Sequence, residues 1–333
     1  MSGHRLLSTE WDIFMTQSAA GRAGSDSSRG LADPKSRLHL SKETVLGIAL
    51  MVPALATIAG LIGYPTLYAI WISLHTKLLG VRDMPFVGLV NYAAVLTEGN
   101  FWPALGRTFY FTLASVAIKV CVGMATALVL NENWPGRGLA RAAVLLPWAL
   151  PPLTAVVTWR FLFNDTTNVL NYILVKAHLI EKPILWLAKA EYAMPSAIIV
   201  GVWQGFPFFA ITLLAGLSPI PDDLYDAAKV DGAGIIHRFL FVSLPGVFPV
   251  LMVALTLSTI WTFNQFTVIW LLTTGGPGEA TTTLPIAAYM ESFAAGSKNL
   301  SKGAVYAVLT FPVLVGLVLL LNHFISSREE TEA

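Results

Sequence analysis

Ser258, Trp261, Thr262 and Gln265 recur at i, i+3, i+4 and i+7, a spacing that puts them on one helix face about 100° wide. Gln204, Gly205 and Phe208 cluster in the same way beside Pro207. Aromatic faces stack on rings, amides and hydroxyls exchange hydrogen bonds with hydroxyl groups, and glycine allows close approach. Such a set suits a neutral polyhydroxy solute. Pro207 also removes one helix hydrogen bond and frees the Trp203 carbonyl, a break tolerated where backbone lines a cavity or is packed in protein. Small and polar residues also stitch helices together inside membrane bundles, so helix packing stands as the alternative reading of both clusters.

Other chemistry leaves little trace. Lys119 lies midway along an apolar segment, where an ionisable group is costly and often functional. Its stem can instead snorkel, or its charge can meet a carboxylate on a partner chain. Arg160 reads as an anchor near the end of its segment. The histidines at 4, 39, 75, 178, 237 and 323 show no metal-ligand spacing. The single cysteine, Cys121, excludes a disulfide scaffold and a cysteine metal site within the chain. No Gly-Lys pair occurs, so the chain lacks the glycine-rich phosphate cradle of a P-loop. Nor does a Gly-x-Ser-x-Gly elbow mark a hydrolase.

The elements that must hold these residues are membrane helices. Of the 333 residues 55% are hydrophobic and 12% charged, too apolar for a soluble domain. With a net charge of +1, that bulk excludes a nucleic-acid module. Six apolar runs, near 45–74, 107–130, 139–163, 193–217, 247–271 and 303–326, are each long enough to cross a bilayer, which takes about 20 helical residues. Backbone groups in lipid must be satisfied internally, so an all-α polytopic membrane protein is expected. Residues 1–43 are rich in Ser, Gly, Ala and charge and read as a disordered tail ahead of a membrane domain at 44–327, with a short tail at 328–333. The first apolar run is too long for the core of a signal peptide. Lys and Arg are slightly more numerous on the side holding the termini, which favours cytoplasmic termini.

Between the fourth and fifth runs lies a polar stretch, 218–246, with turn punctuation. Pro221-Asp222-Asp223 opens a helix, its acids complementing the positive end of the helix dipole. Ala227 and Ala228 give that helix a face poor in side chains, and Asp231-Gly232 reads as a turn in which glycine takes a positive φ. A second helix is expected from Ile235 to Pro245. An ordinary amphipathic surface loop would carry the same pattern.

Asp226-Ala227-Ala228, then Asp231-Gly232-Ala233, then Val242-Ser243-Leu244-Pro245, together resemble the EAA loop of ABC-importer permeases, with Asp in place of Glu at 226. Phe86–Tyr92, Phe101–Leu105, Pro147–Pro152 and Leu272–Pro277 resemble the maltose-type, carbohydrate-uptake branch of that family. The resemblance covers 45–326. It implies a type I importer permease in the bacterial inner membrane, with six membrane helices and a cytoplasmic coupling loop formed by Asp226, Ala227, Ala228, Asp231, Gly232, Ala233, Leu244 and Pro245. It implies a non-catalytic subunit, with ATP and Mg²⁺ bound by a dimer of partner ATPase subunits, and with a second homologous permease and an extracytoplasmic solute-binding protein as further partners. The clusters at Gln204–Phe208 and Ser258–Gln265 fall where such permeases hold sugar, although Gln204 and Thr262 depart from the expected residues. A polyol or glycerol phosphate is the alternative cargo. An ATPase-independent secondary transporter is the competing class, expected to show internal repeats and buried acids; neither is evident in the six runs.

Overall fold

The computed structural model describes residues 42–97, 99–164, 169–294 and 298–332. The tail expected at 1–43 lies almost wholly outside the described residues. The chain divides into two compact units at Gly60–Leu61. The first contains helix α1, Lys42–Ile58, whose Leu46, Leu50, Met51 and Leu55 are exposed.

The second unit follows a wide π-helical turn at Ala59–Gly63 and comprises α2 (Tyr64–Ser73), α3 (Val90–Thr97), α4 (Phe101–Asn131), α5 (Arg137–Ala149), α6 (Pro152–Leu162), α7 (Val169–Lys176) and α8 (Ala190–Leu217). It continues through α9 (Asp222–Val230), α10 (Ile235–Arg238), α11 (Leu244–Phe263), α12 (Thr267–Thr273), α13 (Leu284–Tyr289) and α14 (Leu300–Glu332). Among the described residues β-pairing is limited to isolated bridges at His75–Phe86 and Leu78–Asn299. Among the described residues five helical stretches are long and apolar enough to cross a membrane: Leu46–Ser73, Phe101–Asn131, Ala190–Leu217, Ile235–Phe263 and Leu300–His323. α5 and α6 reach that length and apolarity only together, as a pair bent by 90°, which makes a sixth crossing if the pair is one span. The expected all-α membrane architecture is borne out.

α4 and α8 form the centre of the second unit and pack along one another. Their approach depends on absent side chains. A Cβ on Gly123 of α4 would sit 2.4 Å from the Cβ of Phe209, so only glycine allows this crossing, as is usual where membrane helices press backbone to backbone. Thr108, Thr112, Ser115 and Lys119 fall on one side of α4 and are all buried. At the N-terminal end of this stripe, the Thr108 hydroxyl donates to the Ala104 carbonyl at 2.7 Å and accepts the Leu284 N–H at 2.9 Å, which ties α4 to the start of α13.

Two expected segments differ in form. The third, 139–163, is broken by a 90° bend between α5 and α6. Pro151 and Pro152 cause it: a residue before proline is forced out of helical geometry, and Leu150 (φ −71°, ψ 137°) and Pro151 (φ −55°, ψ 132°) are both extended. The fifth is not 247–271. Its helical stretch starts at Ile235 and ends at Phe263, so the second loop helix is the foot of the span, and the turn Asn264–Phe266 separates α11 from α12. Pro207 does not break its helix either: α8 is continuous from Ala190 to Leu217.

Candidate functional site

The residues singled out for solute chemistry converge. Gln204, Gly205 and Phe208 of α8 line one cavity of about 270 Å³ with Ser258, Trp261 and Thr262 of α11, and with Gln265 just beyond it. Ser258 and Thr262 are buried, whereas the Trp261 indole is 54% exposed and so leaves its face free to stack. Phe208 meets Trp261 edge-on, with ring centroids 5.1 Å apart, a favoured aromatic geometry that holds the indole in place. Gln265 reaches the cavity from the Asn264–Phe266 turn rather than from the helix face expected of it.

Several lining residues escaped the sequence reading. The bend between α5 and α6 brings Trp148, Leu150 and Pro152 to the cavity wall. Their signal, the Pro147–Pro152 stretch, is visible in the chain, but a straight helix would not place it here. Gly201 and Thr267 complete the lining. Lys119 is there too. Its ammonium donates to the Thr262 hydroxyl at 2.9 Å, and a Cβ on Gly205 would lie 2.7 Å from the lysine Cε. Gly205 therefore makes room for the lysine stem. Arg160, outside the cavity, donates to the Leu271 carbonyl at 3.2 Å and fastens α6 to α12.

A larger hollow of about 1010 Å³ opens beside the polar loop, lined mainly by apolar groups such as Ile211, Ala215, Leu224, Phe241 and Val250. It has no set of polar groups to orient a polyhydroxy solute. The smaller cavity has them.

The loop is a compact, capped turn. α9 begins with Asp222 and Asp223 in its first turn, after Pro221. At its end the Gly232 N–H donates to the Lys229 carbonyl (3.0 Å) and the Ala233 N–H to the Ala228 carbonyl (2.9 Å). That pair of bonds is the Schellman cap, which needs a left-handed residue one past the helix end. Gly232, at φ 79°, supplies it, as expected. Asp231 immediately precedes it as the last, non-helical residue of the cap. Asp226 is exposed and pairs with Lys229 at 2.7 Å. The Tyr225 and Ser243 hydroxyls share a hydrogen bond of 3.0 Å, which clamps α9 against the wide turn Phe239–Ser243. Leu244 packs into the core cluster of α4, α8 and α11. Pro245 follows in the first turn of α11. Thus Asp226, Ala227, Ala228, Asp231, Gly232 and Ala233 lie together at the tip, while Leu244 and Pro245 lie at the root.

Residues 119–328 match the family model described as binding-protein-dependent transport system inner membrane component. The trehalose/maltose transport system permease protein MalF of Thermococcus litoralis is 38% identical over 278 residues, covering 84% of this chain and 92% of that protein. The trehalose transport system permease protein SugA of Mycobacterium tuberculosis is 34% identical over 270 residues, covering 81% and 85%. A bacterial ABC transporter involved in import of the acidic polysaccharide alginate includes a chain of the same fold, with a TM-score of 0.71 at 20% identity, covering 85% of this chain and 96% of that one. Family model, long relatives and fold agree: the chain belongs to the inner-membrane components of binding-protein-dependent ABC transport systems.

Proposed function

We propose that this chain forms half of the membrane pathway of an ATP-driven importer for a carbohydrate, and that its 218–246 loop couples the pathway to a cytoplasmic ATPase. The observation that carries this reading is the unbroken helical stretch from Ile235 to Phe263: its foot belongs to the polar loop and its far end lines the cavity. Movement imposed on the loop is thereby delivered to the solute-lining residues. The loop is also built to be covered. Val230, Ile235 and Ile236 are 88%, 78% and 71% exposed around Gly232, and apolar groups clustered on a polar, capped turn mark a surface that docks.

In this reading the loop and both termini face the cytoplasm. ATP and Mg²⁺ are bound and hydrolysed by a dimer of partner ATPase subunits, which this chain serves without catalysis of its own. Closure of that dimer favours one of two arrangements of the permease, and its differential affinity for the two sets their populations. A second, homologous permease completes the pathway, and a solute-binding protein outside the membrane delivers cargo. The relatives named for trehalose and maltose, together with the aromatic and amide lining, support a neutral di- or oligosaccharide as cargo.

The test is uptake of radiolabelled maltose and trehalose by proteoliposomes that hold this chain with its partner permease, ATPase subunits and binding protein. Uptake of one sugar is expected only when ATP and the binding protein are both present. Uptake that persists without ATP would sink the coupled mechanism, and absence of uptake for both sugars would sink the carbohydrate assignment.

A further inference from the structure

Lys119 has no role in the coupling just described, yet its surroundings are built around it. The side chain is 7% exposed, midway along α4. It does not snorkel toward an aqueous face but turns its ammonium to the Thr262 hydroxyl, inside the cavity. Gly205 opposite leaves space that any larger residue would fill. An ammonium carries three N–H donors and no acceptor, and among the described residues Thr262 is its hydrogen-bond partner. Among the described residues no Asp or Glu lines the cavity, and the Lys189–Glu191 and Lys229–Asp226 ion pairs lie elsewhere. A buried ammonium with donors left over is costly unless something supplies acceptors. The amides of Gln204 and Gln265 can donate or accept. Lys119 is the charged group of that lining among the described residues.

We propose that Lys119 is a cargo-binding residue, donating charge-assisted hydrogen bonds to hydroxyl, ring or glycosidic oxygens of the saccharide and so selecting for solutes that present oxygen acceptors at that wall. The proposal rests on the carbohydrate reading above. Lys119 and Thr262 then act as one unit, the threonine oxygen holding the ammonium in place while the remaining donors face the cargo.

Direct binding tests this without the binding protein, whose own selectivity would mask the cavity's. The complete transporter in lipid nanodiscs is titrated with maltose and with trehalose, and affinity is read by saturation-transfer NMR. Replacing lysine by methionine, K119M, removes the donors and keeps most of the volume; affinity for the bound sugar is expected to fall at least about tenfold, the scale of one charged hydrogen bond. The methionine variant should still assemble with its partners, and K119R should recover part of the affinity. K119L, which likewise has no donor, gives the same reading should K119M fail to assemble. Unchanged affinity in an assembled methionine or leucine variant overturns the contact while leaving the carbohydrate reading intact. A wild-type transporter that binds neither sugar overturns both.

Discussion

Gly232 shows how a single residue type is demanded by backbone alone. A Cβ there would meet nothing within 4 Å, so space is not the constraint; the φ of 79° is. Left-handed geometry costs an ordinary residue about 1–2 kcal/mol, and asparagine less. G232N should therefore retain most uptake, whereas the β-branched G232V should lose the Schellman cap and uncouple ATP hydrolysis from transport while still inserting in the membrane. Equal uptake by the two variants would remove the turn from the coupling mechanism. In the cavity, Trp261→Ala removes a stacking face and Gln265→Ala a bidirectional hydrogen-bonding group. Either change should lower the rate of sugar uptake about tenfold with assembly of the ATPase intact. Normal transport in both variants would return these residues to helix packing.

Among the elements, the bent pair α5–α6 is the one whose shape decides what the cavity contains. Two consecutive prolines, each without an N–H, hold Leu150 and Pro151 extended and turn the chain by 90°. The double change Pro151→Ala, Pro152→Ala should let α5 and α6 join into a straighter helix and withdraw Trp148 from the cavity wall. Spin labels placed at positions 139 and 162 would report a longer separation; an unchanged distance would mean that packing, not proline, holds the bend. This element also marks the limit of what was legible beforehand. Apolar run length disclosed the spanning segments, and the Asp-Gly step disclosed the turn at 232, because both are governed by local physics. The 3.6-residue period brought Ser258, Trp261 and Thr262 together correctly. It placed Gln265 on a helix that in fact stops at Phe263, although Gln265 still reaches the cavity. Lys119 could be flagged as costly, but its direction depends on Gly205 and Thr262, which are distant in sequence, and no local pattern carries that. Pro147–Pro152 was visible as a motif, while the right angle it makes was not.

At the scale of the whole molecule, much of the apolar surface is uncovered: Leu139, Leu61 and Phe311 are 79%, 74% and 71% exposed. A bilayer provides the surroundings such a surface requires. Orientation is open to a direct check, since Cys121 is the single cysteine. In a C121S background, a cysteine introduced as K229C should react with an impermeant maleimide in inside-out vesicles and not in right-side-out ones. The opposite pattern would reverse the assigned topology. The stretch from Ile235 to Ser258 acquires a mechanical meaning here. At about 1.5 Å per residue it is a lever arm of roughly 35 Å. If it moved as a rigid body, a tilt of only about 5° at its foot would carry Ser258 through about 3 Å, roughly the reach of one hydrogen bond. A small tilt at the loop would then be large enough to make or release a hydroxyl group's grip.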